Sequence, residues 1–215
     1  MFVVFVASAS FAFLALFPIL NPPAMAPVFL ALTEQVPDRQ RNRLATLIGL
    51  YTFIFLAALL MVGGTLLKLL GISIPVIAIA GGLLLFHSAW HMLNKDPRMT
   101  ASEQEEIRTC MLDKAFFPLT LPVTAGPGAM AVTLSLVPQA KDWTFKVLVQ
   151  LLGTVAGIAL AAATVFIFYR FSAPILRRMG KTGAATISQV SAFVLLAIGV
   201  QIVWGGVREL LLSLK

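Results

Sequence analysis

Two short breaker signatures stand at matched places in an otherwise apolar chain, and their residue types suit the binding of a small charged or zwitterionic solute. The first is Asn21-Pro22-Pro23. The second is Gly126-Pro127-Gly128, 105 positions after Asn21. The likeness continues, since Pro22-Pro23-Ala24-Met25-Ala26 aligns with Pro127-Gly128-Ala129-Met130-Ala131 with one position changed. Proline lacks an N–H and clashes with the carbonyl four residues back. Pro22 and Pro23 should therefore free the carbonyls of Pro18 and Ile19, and Pro122 and Pro127 those of Pro118 and Val123. Freed carbonyls attract a cation or an ammonium group. The half-helix that restarts after each break presents backbone N–H groups and a positive dipole end, which attract a carboxylate. Together they suit an amino acid.

The two breaks are expected to differ. Asn21 is a favourable N-cap, and proline suits a first helical position. Free donors in the first break start only at Ala24, with Met25 following. In the second, Gly128 and Ala129 keep their N–H groups, and glycine allows close approach. Thr120 and Thr124 add hydroxyls nearby. The alternative is a pair of structural kinks satisfied by neighbouring helices.

The elements that hold these residues are membrane spans. The chain has 215 residues, 59% hydrophobic and 12% charged. A soluble domain carries about 25% charged residues. Apolar runs of about 20 residues recur along the whole length, as bilayer-crossing helices require. They are continuous rather than alternating, which favours helical spans over a barrel. Six segments are expected, near residues 2–32, 44–70, 74–93, 115–137, 145–171 and 185–212. They form one integral membrane domain over 1–215. The first apolar run has no basic leader and is too long for a signal peptide, so it reads as a retained span.

Charge sets the orientation. Arg39, Arg41 and Arg43 fall between spans one and two. Lys95, Arg98, Arg108 and Lys114 fall between three and four, and Arg170, Arg177, Arg178 and Lys181 between five and six. Eleven basic residues thus share one side, against five on the other (Lys68, Lys141, Lys146, Arg208 and Lys215). The positive-inside rule places the three basic loops in the cytoplasm and both termini outside. The net charge of +7 is accounted for by these loops, with no call for nucleic acid. Three spans per half require related halves to lie in opposite orientations. Residues 1–94 and 113–215 are therefore expected to be inverted repeats joined by a cytoplasmic loop at 95–112, an arrangement common among secondary transporters. The copies are unequal. Phe17-Pro18 matches Phe117-Pro118 at an offset of 100, so the second copy holds about five extra residues before its break.

The stretch from Phe17 to Leu30, Phe-Pro-Ile-Leu-Asn-Pro-Pro-Ala-Met-Ala-Pro-Val-Phe-Leu, resembles the first signature of the MarC family of bacterial inner-membrane proteins. Pro118 to Ala129, Pro-Leu-Thr-Leu-Pro-Val-Thr-Ala-Gly-Pro-Gly-Ala, resembles the second. Gly81-Gly82 and the chain length also fit. The resemblance covers nearly the whole chain. It implies a six-span protein akin to the lysine-exporter superfamily, a location in the bacterial inner membrane, and transport of small neutral amino acids.

Other candidates read more plainly. His87 and His91 share a helix face, which could hold a metal or relay protons. No carboxylate or cysteine is near them in sequence, and Trp90 between them suggests an interfacial belt. The single Cys110 excludes an intramolecular disulfide. Gly153 and Gly157 form a GxxxG motif for close helix contact, within the monomer or across a homo-oligomer. Gln150, Ser188, Gln189, Ser191 and Gln201 could bridge helices or line a polar pathway. No paired acids, nucleophile with a base, or metal set appears, so no enzyme chemistry and no cofactor is expected. The expected partners are a small-molecule substrate and the lipid bilayer. The reading that competes with transport is a membrane assembly or regulatory protein.

Overall fold

A computed structural model describes residues 1–33, 36–94, 115–138 and 144–213, all in helices and short connections, with no strand among them. The chain runs α1 (Phe2–Leu20), α2 (Pro22–Leu32), α3 (Asp38–Leu70), α4 (Ile74–Asn94), a π-helical α5 (Ala115–Thr124), α6 (Pro127–Ser135), α7 (Phe145–Arg170) and α8 (Ser172–Ser213). In hydrocarbon, a helix satisfies every backbone group internally, which is why apolar runs of this length become helices. Five stretches are long and apolar enough to cross a membrane as single helices: Phe2–Leu20, Asp38–Leu67, Ile74–Asn94, Phe145–Arg170 and Thr182–Ser213. The outer surface is rich in large apolar groups, including Phe11, Leu14, Phe193 and Trp204. In water such a surface would aggregate; in a bilayer it faces lipid.

The expected break in the fourth segment is present, but the half before it is π-helical. Residues 115–135 form two short helices, of 10 and 9 residues, on either side of Gly126. Pro118, Pro122 and Pro127 cannot donate to a regular α-helical ladder, so the stretch before the break takes i→i+5 geometry instead. The expected basic loops are also partly helical. Arg39, Arg41 and Arg43 lie in the first turns of α3, where Arg41 pairs with Asp38. Arg177 and Arg178 lie on a helical stretch that leaves helical geometry only at Gly180, with φ 69°. Lys95, Arg98, Cys110, Arg108, Lys114, Lys141 and Lys215 fall outside the described residues, as does the expected 95–112 loop.

Small residues decide how the helices meet. The GxxxG of α7 packs against α1: a Cβ on Gly153 would sit 2.9 Å from the Ser8 Cβ, and one on Gly157 would sit 2.7 Å from that of Ala12. The motif therefore serves packing inside the monomer. Helices α4 and α8 cross through Gly82, Gly199 and Gly206; a Cβ on Gly206 would lie 2.7 Å from the Pro75 carbonyl oxygen. α3 meets α7 at Gly49, where a Cβ would lie 2.9 Å from that of Phe166. Beyond these, α5 and α6 pack on α3, α2 on α7 and α8, and α6 on α4. Gly71, with φ 67°, ends α3, and the Ile72 N–H returns to the Leu67 carbonyl at 2.9 Å to close the helix end.

Candidate functional site at the two helix breaks

Asn21 is the only non-glycine residue with positive φ among those described (φ 47°, ψ 51°). A left-handed conformation costs an ordinary residue about 1–2 kcal/mol, less for asparagine. Its N–H donates to the Phe17 carbonyl at 3.0 Å, closing α1, and its carbonyl accepts from the Met25 N–H at 3.1 Å, opening α2. Asn21 therefore ends one helix and starts the next. Its side chain makes no capping bond, contrary to the expected N-cap role. N-capping needs extended backbone, whereas the left-handed conformation suits a helix C-terminus. Asn21 is 6% exposed, and its Nδ2 has no hydrogen-bond partner. An unpaired buried amide costs about 1–3 kcal/mol.

The second break is built differently. Gly126 is extended (φ −75°, ψ −179°), and α6 begins at Pro127. Its first helical bond runs from the Met130 N–H to the Gly126 carbonyl, 3.2 Å. By helix geometry the N–H groups of Gly128 and Ala129 lie ahead of the ladder, against Ala24 alone in α2. On the side where a Cβ would project, Gly128 is packed against Leu85 of α4 and Ile19 of α1. A Cβ there would lie 3.0 Å from Leu85 Cδ1 and 3.5 Å from Ile19 Cγ2. The close approach that glycine permits is thus used by protein groups on that face. Ile19 stands two residues before Asn21, so this contact brings the two breaks together. Ala24 and Ala129 are each 1% exposed. Pro22 is buried, Met25 is half-buried and Pro127 is exposed.

Thr120 and Thr124 are not free donors. The Thr120 hydroxyl donates to the Ala115 carbonyl at 2.6 Å, and that of Thr124 to the Leu119 carbonyl at 2.7 Å. Both bonds reach five residues back, as does the backbone bond from the Ala125 N–H to the Thr120 carbonyl, 2.8 Å. These hydroxyls are thus taken up inside the π-helix itself. Between Pro118 and Pro127 the chain winds as a π-helix and then passes through the extended Gly126.

One residue of the site was not anticipated. Tyr169, fully buried near the end of α7, shares a 2.9 Å hydrogen bond with the Thr124 hydroxyl. Its ring stacks on Phe29 of α2, with centroids 4.6 Å apart and planes 10° apart. Tyr169 thus joins the helix before the second break to the helix after the first. The sequence offers only a weak signal for it, one of two tyrosines in the chain, lying at the basic end of a span. His87 and His91 stack at 6.0 Å on an exposed face of α4, away from this site. No group of three metal-ligating side chains occurs among the described residues.

Comparison with known proteins gives the family. The model of the MarC family of integral membrane proteins matches residues 6–211. A UPF0056 membrane protein of Archaeoglobus fulgidus is 36% identical over 203 residues, covering 94% of this chain and 93% of its own. The UPF0056 membrane protein YvbG of Bacillus subtilis is 30% identical, covering 91% and 92%. The inner membrane protein MarC of Escherichia coli is 29% identical, again covering 91% and 92%. No solved structure matches the chain. The chain belongs to the MarC family of integral membrane proteins.

Proposed function

We propose that this MarC-family chain is a secondary transporter of small polar metabolites, with small neutral amino acids as the favoured class, and that substrate binds near the bilayer midplane between the two breaks. The observation that carries this reading is the meeting of the breaks at Ile19 and Gly128, beside a buried asparagine amide with no partner. The amide can donate to a carboxylate, and the unused N–H groups of Gly128 and Ala129 point the positive end of α6 at the same region. Interrupted helices at matched places in two halves are how many transporters build a midplane site.

Several helix contacts support two related halves, which three spans each would set in opposite orientations. Exchanging α1–α4 with α5–α8 turns the α4–α6 contact into α8–α2, the α2–α7 contact into α6–α3, and the α1–α7 contact into α5–α3, all of which occur. The α3–α7 and α4–α8 contacts map onto themselves. In this arrangement α5 and α6 together make the sixth crossing, both termini face outside, and the membrane is the plasma or inner membrane. Opposed motion of the halves then exposes the site to each side in turn.

The test is flux of radiolabelled L-alanine and L-serine into proteoliposomes, with Asn21→Ala and Pro127→Ala beside the native protein. Saturable native flux, weakened about tenfold or more in both variants, supports the assignment. Equal flux and affinity in all three sinks it.

A second reading has its own observation. Both threonine hydroxyls are satisfied inside the protein, and one face of Gly128 is filled by Leu85 and Ile19. These are features of structural breaks in a membrane assembly protein. Absence of any neutral amino-acid binding by a correctly folded preparation would favour it.

A further inference from the structure

A cavity of about 330 Å³ lies between α1, α7 and the C-terminal end of α6, away from the breaks. Its lining includes Ser8 and Phe11 of α1, Ser135 and Pro138 at the end of α6, and Gln150 and Thr154 of α7. Four hydrogen-bonding side chains from three helices therefore converge in a part of the chain where nearly every neighbour is apolar. Two are already engaged: the Ser135 hydroxyl donates to the Val132 carbonyl at 2.7 Å, and that of Thr154 to the Gln150 carbonyl at 3.0 Å. Among the described residues, the Ser8 hydroxyl and the Gln150 amide make no such bond and can serve a guest. Among the described residues, no charged side chain lines the space. An ion there would lose hydration with no counter-charge from this lining, which favours solutes without net charge.

The position of the cavity gives it a role. Ser8 and Gln150 lie about 8–9 Å from the starts of their helices at a rise of about 1.5 Å per residue. This is the end of the bundle that the charge pattern turns outward. One turn deeper on the same helices, Ala12, Val132 and Ile158 are all buried. The cavity therefore stops there, with Asn21 a further two to three turns along α1 and Gly128 about two turns along α6 from Ser135. Measured from its lining residues, it stands about 10 Å from Gly128 along α6 and about 20 Å from Asn21 along α1.

We infer that this cavity is an outward-facing vestibule that admits small, net-neutral, hydrogen-bonding solutes to the route between the breaks, with Ser8 and Gln150 as its contact groups. This rests on the transporter reading and adds to it a second, shallower site.

The test places a single cysteine at Ser8 or Gln150 in full-length protein carrying Cys110→Ser, in right-side-out membrane vesicles. A membrane-impermeant methanethiosulfonate reagent is added outside, and Leu152→Cys serves as a control on an exposed, apolar position of the same helix. The vestibule predicts modification of Ser8→Cys and Gln150→Cys at least tenfold faster than Leu152→Cys. It also predicts severalfold slowing by 10 mM L-serine or L-alanine and none by 10 mM lysine. Reaction no faster than the control, or reaction only from the inner face, overturns it. Rapid reaction that neither neutral amino acid slows overturns the solute contact at Ser8 and Gln150. Labelling is read without flux, so failure of transport and failure of the vestibule are separate results.

Discussion

At the scale of single residues, the site combines two costs at Asn21: a left-handed backbone and a buried amide without a partner. A residue kept for packing alone would be glycine, which takes this backbone freely and has no amide to bury. Asn21→Gly should therefore be more stable than Asn21→Ala by about 1 kcal/mol, since alanine retains the backbone strain. Both should lose substrate affinity, which no strain argument explains. Thermal unfolding in detergent beside a binding assay separates the two effects. Tyr169→Phe keeps the ring on Phe29 and removes one hydrogen bond to Thr124, whose hydroxyl still reaches Leu119. It should cost about 1 kcal/mol by the same unfolding measurement. The proline and glycine breakers were legible in the sequence because their backbone limits are local. The partners of Thr120 and Thr124 were not, because a bond five residues back exists only once the π turn forms. Tyr169 was not legible either, since its partners Thr124 and Phe29 are brought to it by tertiary packing alone.

At the scale of elements, helix contacts here depend on missing side chains. Gly205 and Gly206 are neighbours in α8 with opposite surroundings. A Cβ on Gly206 would meet the Pro75 carbonyl oxygen and Ile79 of α4, while one on Gly205 meets nothing within 4 Å. Backbone cannot yield as a flexible side chain does, so Gly206→Ala must push α8 away from α4. It should cost about 1–3 kcal/mol. Gly205→Ala should be neutral or stabilising by up to about 1 kcal/mol, as alanine favours helix over glycine. Melting temperatures of the two variants give the contrast directly; equal destabilisation would refute the α4–α8 packing described. The sequence placed four of the expected spans close to single long helices, and the first as two helices on either side of its break, because apolar length and local breakers are enough to define them. It did not show that α3 begins among its arginines, or that the half before the Gly126 break winds as a π-helix. Hydrophobicity reports burial in lipid and is blind to how a proline-rich stretch winds.

At the scale of the whole molecule, the proposed route runs from the polar vestibule to the two breaks that Tyr169 helps to join. The proposed inverted arrangement carries its own prediction. Reporter fusions at either terminus should report the outer side, and a reporter inserted between Arg178 and Gly183 should report the cytoplasm. The reverse pattern would turn the vestibule to the inside. The central claim, that a small neutral solute sits between the breaks, is tested most directly by isothermal titration of L-alanine and L-serine into purified protein, comparing the native chain with Asn21→Gly. Saturable binding to the native chain, weakened about tenfold or more in a variant that melts no lower, is the predicted result. Equal affinity in the two proteins, or no binding of either amino acid to the folded native chain, would contradict the account.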